Sequence, residues 1–338
     1  MAVRLNIGLI GLGRLGRVYA RDLSMRVAGA RLAAVADTNA EVAEEVAREF
    51  DVPRWFADPE EIVNSPGLDA VVIVSPTQTH RDVVVAAVSR RKATFCEKPP
   101  ALSLAETAVM KDAILKTGAF FQMGFMRRFD AGYAAAKRMI DEGGIGRPVV
   151  FKSSSRDPYR PSLEYANPKS SGGMILDMAI HDFDLARWFM GEVATVQAVG
   201  GTLAYPELAE IGDIDNAIVN LTFADGRIGV VDVSRNGFYG YDITTELLGA
   251  TGTLRIGYLR ETPLLVMTRN NVSHDTVPYF MERFRDAYTT QLQDFADNVR
   301  QGRPAPITID DGIEALRVGL AATRARETGE QVRVADVV

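Results

Sequence analysis

The chain has 338 residues, enough for about two domains at roughly 150 residues each. Its composition, with 47% hydrophobic and 24% charged residues, is typical of an ordinary folded enzyme and excludes a disordered or fibrous chain. No segment approaches 18 uninterrupted apolar residues, so no membrane partner is expected. The formal net charge of −6 provides no excess of positive charge to neutralise phosphates, which argues against nucleic acid as a partner.

The first 125 residues alternate short apolar runs with helical patterns, which is typical of a parallel sheet with crossover helices. Strands are predicted over residues 5–11, 31–37, 70–75, 93–97 and 120–125. Segments such as 39–50 and 80–89 carry apolar residues three and four positions apart, which indicates helices between the strands. The predicted fold class of this part is therefore doubly wound α/β.

Beyond residue 125, strand-like runs follow one another and are separated by glycine-containing turns. These runs predict two antiparallel hairpins, 217–223 with 227–234 and 243–248 with 253–258. Helices are predicted over about 174–190, 279–300 and 310–328. We therefore expect a nucleotide-binding domain over residues 1–123 and an α+β domain with an antiparallel sheet over 124–338.

A GLGRLG motif at residues 11–16 ends the first predicted strand and begins a helix. Glycines there permit a tight turn and let the backbone approach a pyrophosphate at the helix N-terminus. Asp37 ends the second strand, where a carboxylate can bind an adenosine ribose and repel a 2′-phosphate. The pattern favours NAD over NADP, although a structural turn and a surface aspartate remain the alternative. The predicted cofactor-binding residues here are Gly11, Gly13, Arg14, Leu15, Gly16 and Asp37.

Two further loops follow predicted strands at the same carboxyl edge, where open α/β sheets bind ligands. His80 either borders the cofactor or serves only in packing or capping. Prolines after Lys98 oppose continuation of the strand, so its ammonium is expected near the nicotinamide end of the cleft, whereas an isolated loop lysine is usually solvated. The cofactor-binding set predicted from these loops is Ser75, Pro76, His80, Glu97 and Lys98.

Asp177 and His181 are four residues apart in an apolar stretch of the second half, so one helix would place them on one face. A buried histidine with a carboxylate in reach suits a general base. A satisfied core histidine is one alternative, and a metal site formed with Asp184 is another. Because the chain has only three histidines, no metal is expected.

In this order, the GLGRLG motif, Asp37, Glu97-Lys98-Pro99 and the Asp177-x-x-x-His181 motif resemble the glucose-fructose oxidoreductase, inositol dehydrogenase and rhizopine catabolism protein family. The resemblance implies a Rossmann domain followed by an open, mainly antiparallel sheet whose outer face makes oligomer contacts. It also implies that the family's catalytic Lys, Asp and His correspond to Lys98, Asp177 and His181.

Within the family, stretches 124–130, 239–242 and 283–295 resemble those of myo-inositol 2-dehydrogenases. This resemblance implies oxidation of a cyclic polyol, foremost myo-inositol to its 2-keto product, by hydride transfer to NAD. Arg127, Asp157 and Tyr241 are the implied substrate-binding residues, together with the catalytic three. Another inositol isomer, a sugar, or a non-catalytic ligand sensor remain alternatives. Pro100 departs from the aliphatic residue that is commoner in the family.

Two features predict a cytoplasmic protein. The N-terminus enters a strand-like stretch without the basic start and cleavage site of a signal peptide. The single cysteine, Cys96, cannot form an internal disulfide and is expected to be buried and inert. We further expect a homo-oligomer, foremost a homotetramer, on the resemblance alone.

Overall fold

The computed structural model describes residues 4–338, which divide into two compact units. The first unit contains the chain up to Met126 together with Asp286–Glu314, and the second contains Arg127–Arg285 and Ala315–Val338. These units describe packing alone, so the functional domains 1–123 and 124–338 remain predictions. Residues 1–3, which belong to the stretch used to predict the absence of a signal peptide, lie outside the described residues.

The sheet of the first unit has six strands: β1 Leu5–Ile10, β2 Ala30–Ala36, β3 Trp55–Phe56, β4 Ala70–Ile73, β5 Ala93–Glu97 and β6 Phe121–Gly124. All neighbours are parallel, in the order β3-β2-β1-β4-β5-β6, so the predicted doubly wound fold is confirmed. The order reverses between β1 and β4, the place where such sheets bind ligands. Strand β4 is buried along its whole length, as parallel strands covered on both faces are.

Helices connect these strands: α1 Arg14–Met25, α2 Ala40–Glu49, α3 Pro59–Asn64, α4 Thr77–Ser89 and α5 Leu104–Thr117. Three of them, α2, α3 and α5, begin at a capping side chain, whereas α1 and α4 have none. The side chain of Asn39 caps α2, and that of Ser103 caps α5. Helix α1 buries Tyr19 and Leu23 four residues apart, which is one face of a helix.

The chain continues through a 3₁₀ helix and the elements of the second unit. Its helices are α6 Ala131–Asp141, α7 Leu163–Ala166, α8 Pro168–Ser171, α9 Gly173–Met178, α10 Ile180–Met190 and α11 Phe280–Arg283. Its strands are β7 Pro148–Arg156, β8 Val193–Gly201, β9 Asn216–Phe223, β10 Ile228–Ser234, β11 Asp242–Gly249, β12 Thr253–Ile256, β13 Val266–Met267 and β14 Val272–Ser273. The remaining elements are α12 Arg285–Gln301, α13 Ile309–Thr328 and β15 Val332–Arg333.

A seven-stranded sheet, in the order β12-β11-β7-β10-β9-β8-β15, forms the frame of the second unit. Both predicted hairpins are confirmed, since β9 pairs with β10 and β11 with β12 in antiparallel fashion. Strands β7 and β10 are parallel, so the sheet is mixed although mainly antiparallel. Along β9, buried and accessible residues alternate, which shows that one face of the sheet is covered and the other is not.

Two of the predicted helices are interrupted. The helix predicted over 174–190 is present but divided, because Ala179 forms a one-residue turn between α9 and α10. Side chains on either side of the turn have different partners, since Asp177 pairs with Arg235 and Asp182 pairs with Arg127. The helix predicted over 279–300 is likewise divided at Phe284 into α11 and α12, where the chain passes from the second unit to the first.

Among the described residues, we find no helix whose length and apolar content would allow it to cross a membrane.

Candidate active site

The glycine motif forms the turn between β1 and α1. Gly11 has φ of +91°, and a Cβ there would lie 2.5 Å from the Ser75 nitrogen. A Cβ on Gly16 would lie 2.1 Å from the Gly11 oxygen, so both positions require glycine for packing. At Gly13, by contrast, a Cβ would have none of the described atoms within 4 Å outside its chain neighbours. The turn therefore leaves room for a pyrophosphate beside the helix N-terminus, and its residues fit a dinucleotide.

Asp37 follows β2, and its carboxylate joins the glycine turn to the next helix. One oxygen accepts the Leu12 N–H at 2.8 Å, and the other accepts the Asn39 N–H at 2.9 Å. Both bonds fix a negative charge beside the turn, and each oxygen retains capacity to accept a ribose hydroxyl. The geometry agrees with the expected exclusion of a 2′-phosphate.

We expect Asp37→Ala to narrow the preference for NAD over NADP by about tenfold or more, because repulsion and ribose hydrogen bonds are lost together. The measurement is kcat/KM with each cofactor. Glu44→Ala, which removes an exposed carboxylate from helix α2 of the same unit, serves as the control and should leave the ratio unchanged. Equal wild-type efficiency with both cofactors contradicts the assignment.

His80 lies in the first turn of α4 and is 1% exposed. Its Nδ1 lies 2.8 Å from the Pro99 carbonyl oxygen, and its Nε2 lies 2.8 Å from that of Ser75. Both ring nitrogens thus face main-chain groups of the two loops at the carboxyl edge of the sheet. This placement favours the packing alternative for His80. Any influence of His80 on cofactor binding would then act through the position of these two loops.

Burial lowers the pKa of His80, although both carbonyl contacts oppose the shift. The unfolded chain, with an ordinary histidine pKa near 6.5, therefore takes up a proton before the folded chain does as the pH falls. The stabilisation linked to His80 is present above pH ~6.5 and declines below it. We expect the melting temperature of the wild type to fall more between pH 7.5 and pH 5.5 than that of His80→Gln. Circular dichroism at both pH values measures this, and equal decreases would count against the pKa shift.

Lys98 directly follows β5 and is half-buried, which differs from a fully solvated loop lysine. Its backbone N–H donates to Glu97 Oε2 at 3.1 Å. The side chain of Glu97 is buried and accepts hydrogen bonds from protein donors, and its contact with a cofactor remains a prediction. Ser75 Oγ lies 2.7 Å from Thr79 Oγ1, and Pro76 directly precedes α4. Because β4 pairs with β1 in parallel, the loop after β4 lies at the same edge of the sheet as the glycine turn after β1.

The second unit holds the other two predicted catalytic residues. His181 lies in the first turn of α10 and is 8% exposed, which suits a base shielded from bulk water. Asp177 lies in α9, where one oxygen is 3.5 Å from Arg235 Nη2 and the other is 3.4 Å from the Tyr165 hydroxyl. The orientation of His181 by Asp177 remains a prediction.

The predicted substrate-binding residues also lie in the second unit. Arg127 is 2% exposed, and its Nη1 donates to Asp182 Oδ1 at 2.7 Å. Tyr241 is 5% exposed and packs edge-on against Phe284. Burial and the nearby carboxylate of Asp157 raise the pKa of the Tyr241 hydroxyl, while Arg127 opposes the shift. The hydroxyl is therefore a neutral donor and acceptor, and Arg127, Asp157 and Tyr241 lie in one neighbourhood.

Sequence reasoning did not identify Arg235, which is fully buried. Its Nη1 lies 3.0 Å from Asp213 Oδ2, and Asp213 in turn accepts the backbone N–H of Met174 at 2.9 Å. Burial raises the pKa of Asp213 even though the charge of Arg235 opposes this. The ion pairs fix the start of α9 and thereby Asp177. The only sequence signal was an arginine directly after an apolar strand.

The metal alternative depends on Asp184, and the structure gives this residue another partner. Both its oxygens are bound by Arg128, at 2.5 and 2.9 Å. Within residues 4–338, no group of three or more His, Cys, Asp or Glu side chains is arranged to hold a metal ion.

The family comparisons cover both halves of the chain. Residues 5–125 match the family described as "Oxidoreductase family, NAD-binding Rossmann fold", and residues 137–334 match its C-terminal alpha/beta domain. The scyllo-inositol 2-dehydrogenase (NAD(+)) of Bacillus subtilis is 41% identical, with 99% of this chain and 97% of that protein covered. The myo-inositol 2-dehydrogenase of Thermotoga maritima is 38% identical, with 99% and 100% covered.

A solved structure extends this similarity to the fold. The scyllo-inositol dehydrogenase of Lactobacillus casei, with bound NAD(H) and scyllo-inositol, superimposes with a TM-score of 0.93 at 32% identity, covering 98% of this chain and 100% of that one. One family accounts for the order of the motifs, for the glycine turn with Asp37, and for the matches over both halves of the chain. The chain belongs to the glucose-fructose oxidoreductase, inositol dehydrogenase and rhizopine catabolism protein family, and it is an oxidoreductase with an NAD-binding Rossmann domain.

Proposed function

We propose that the protein is an NAD-dependent inositol 2-dehydrogenase that oxidises a secondary alcohol of a cyclic polyol, foremost myo-inositol to 2-keto-myo-inositol. The observation that carries this proposal is the full-length similarity to relatives named for scyllo- and myo-inositol. The resemblance implies that Lys98, Asp177 and His181 correspond to the family's catalytic residues, and the mechanism proposed here assigns them those roles. The choice of myo-inositol as the foremost substrate rests on the sequence resemblance, and scyllo-inositol is the first alternative substrate.

The reaction requires a base, because a secondary alcohol does not release its proton unaided at neutral pH. The His181 imidazole accepts that proton, and Asp177 stabilises the imidazolium that forms. The Lys98 ammonium stabilises negative charge on the substrate oxygen. Bound NAD supplies the acceptor for the hydride.

Substrate recognition falls to Arg127, Asp157 and Tyr241. A site built to hydrogen-bond several hydroxyl groups rejects analogues that lack them, because its buried polar groups would then be unpaired. The raised pKa of Tyr241 and the neighbouring charges of Arg127 and Asp157 support this role. The Nη1 bond to Asp182 holds Arg127 in place.

Tyr241→Phe should lower kcat/KM for the polyol by about tenfold, the scale of one lost hydrogen bond, without changing the affinity for NADH. Tyr133→Phe is the matched control. Tyr133 is another buried tyrosine of the same unit, and its hydroxyl contacts Thr245 Oγ1 at 2.9 Å. We expect this control to lower stability but not turnover. Loss of NADH binding in Tyr241→Phe would contradict the assignment.

A turnover screen with NAD tests the function. It compares kcat/KM for myo-inositol, scyllo-inositol, other inositol isomers and aldoses, and we expect the inositols to be preferred. A preference for an aldose would overturn the substrate class. Tight NADH binding without turnover of any compound would instead favour the non-catalytic ligand sensor.

We further propose a cytoplasmic homotetramer. The accessible face of the second sheet supports an oligomer, because Val199 and Ile218 are paired on it, as are Val150, Ile228 and Leu248 in one row. Four of these side chains are exposed, Ile228 by 56%. Two such groups of exposed apolar side chains on one open sheet face favour a protein interface there. Sedimentation equilibrium measures the number of subunits.

A further inference from the structure

The carboxylate of Glu97 lies in a buried cluster of the first unit. Glu97 is 5% exposed, and both Tyr19 and Gln291 are 0% exposed. The Tyr19 hydroxyl donates to Glu97 Oε1, and Gln291 Nε2 donates to the Tyr19 hydroxyl and, at 3.3 Å, to the same Glu97 oxygen. The cluster therefore connects β5 with helices α1 and α12.

The second oxygen of Glu97 faces the loop that carries the predicted catalytic lysine. Oε2 accepts the backbone N–H of Lys98 at 3.1 Å. The hydrogen bonds to the carboxylate thus come from three donors, so an acceptor-only group satisfies all of them. An amide at this position would direct N–H groups toward a donor and could not satisfy them all.

The neighbouring strand leaves space for this carboxylate. Glu97 pairs with Gly124 in the parallel ladder between β5 and β6. A Cβ on Gly124 would lie 2.9 Å from Glu97 Oε1 and 2.8 Å from the Phe95 ring. Glycine at position 124 therefore admits the buried charge next to the lysine loop.

The backbone beyond Lys98 is held as well. The Pro99 carbonyl oxygen lies 2.8 Å from His80 Nδ1, within the same unit. Side chains from β5 and α4 therefore contact the backbone at the Lys98 N–H and at the Pro99 carbonyl, one on each side of the Lys98 side chain. Burial raises the pKa of Glu97, whereas its hydrogen bonds and the nearby charge of Lys98 favour the ionised form.

We infer that Glu97 is a positioning residue for the oxidation, because its buried carboxylate holds the Lys98 backbone and so determines where the Lys98 ammonium is presented. This inference rests on the proposed catalytic role of Lys98. Glu97 acts through Lys98 and is not assigned a contact with the substrate. Even a displacement of about 1 Å in a catalytic group can cost roughly a hundredfold in rate.

Glu97→Gln tests the inference, and Asp22→Asn is the matched control. Asp22, like Glu97, carries a buried carboxylate, but it lies in α1. It accepts a hydrogen bond from the Thr289 hydroxyl of α12 at 2.7 Å. Steady-state kinetics with myo-inositol and an NADH titration are measured for both. We expect Glu97→Gln to lower kcat about ten- to a hundredfold, with KM and NADH affinity within about threefold of wild type. Asp22→Asn should lower the melting temperature but retain kcat.

A double-mutant cycle with Lys98→Met separates positioning from general stability. If Glu97 acts through Lys98, adding Glu97→Gln to Lys98→Met should lower kcat by less than twofold further. If the kcat losses of the two single variants multiply in the double variant, the inference is overturned. A wild-type kcat in Glu97→Gln would also overturn it. If Glu97→Gln does not fold, Gln291→Met, which removes one donor to Oε1, should still lower kcat more than Asp22→Asn does, and equal values overturn the inference. A wild-type kcat in Lys98→Met would instead overturn the proposed function.

Discussion

Replacing His181 by Ala should lower the rate of myo-inositol oxidation by roughly a hundredfold or more, the scale of a positioned general base. His181 is largely shielded from solvent in the first turn of α10, so bulk water provides a poor substitute. The glycine turn and Asp37 belong to the other unit, and NADH affinity should therefore be retained. The measurement is kcat with saturating NAD, combined with an NADH titration of the same protein.

His274→Ala is the matched control for this experiment. His274 is an exposed histidine of the same unit, and its loss should leave kcat and NADH affinity near wild type. Activity of His181→Ala within a few-fold of wild type would remove His181 from the mechanism. Because only a neutral imidazole accepts a proton, the wild-type oxidation rate should also rise with pH, and His181→Ala should lose that dependence.

Most of the first unit could be predicted because its signals are local. Parallel strands buried on both faces form continuous apolar runs, and the glycine motif marks one strand end. Strand β3 escaped prediction because its two residues, Trp55 and Phe56, are too few to show a period. Helix α12 was predicted as a helix, but nothing local indicates that Asp286–Gln301 packs with the first unit.

The second unit was less predictable, since fewer of its elements carry a local signal. Turns containing Gly226 or Gly252 predicted the two hairpins. No such turn joins β7 to β8, so these two strands lacked a comparable local signal. The interruption at Ala179 is a single residue that keeps helical backbone angles, and no helical period reveals it.

The site shows the same division between local and distant information. Motifs predicted Lys98, Asp177 and His181 as site residues, because residue type and order can be read directly from the sequence. Their supporting partners could not be identified, because Gln291 lies 194 residues from Glu97 and Arg235 lies 58 residues from Asp177. Such contacts become visible only when the fold brings the residues together.

Asp182 is a third residue whose partners are distant in the sequence. Of the substitutions predicted here, its removal should cause the largest loss of stability. Its carboxylate is 0% exposed and accepts bonds from Arg127 Nη1 at 2.7 Å, Ser153 Oγ at 2.6 Å and Ser155 Oγ at 2.9 Å. Asp182→Ala leaves the Arg127 guanidinium buried without this counter-charge. We expect the free energy of unfolding to fall by roughly 3 to 5 kcal/mol, the scale for breaking a buried ion pair.

Urea denaturation followed by circular dichroism measures this loss, and an exposed pair provides the control. Lys111 and Asp310 are 2.7 Å apart with side chains 40% and 60% exposed, so Lys111→Ala should cost less than about 1 kcal/mol. Because the cost arises from the uncompensated charge, Arg127→Met combined with Asp182→Leu should recover part of the stability lost in Asp182→Ala. A double variant less stable than Asp182→Ala would show that the loss comes from the serine hydrogen bonds to Asp182 rather than from Arg127.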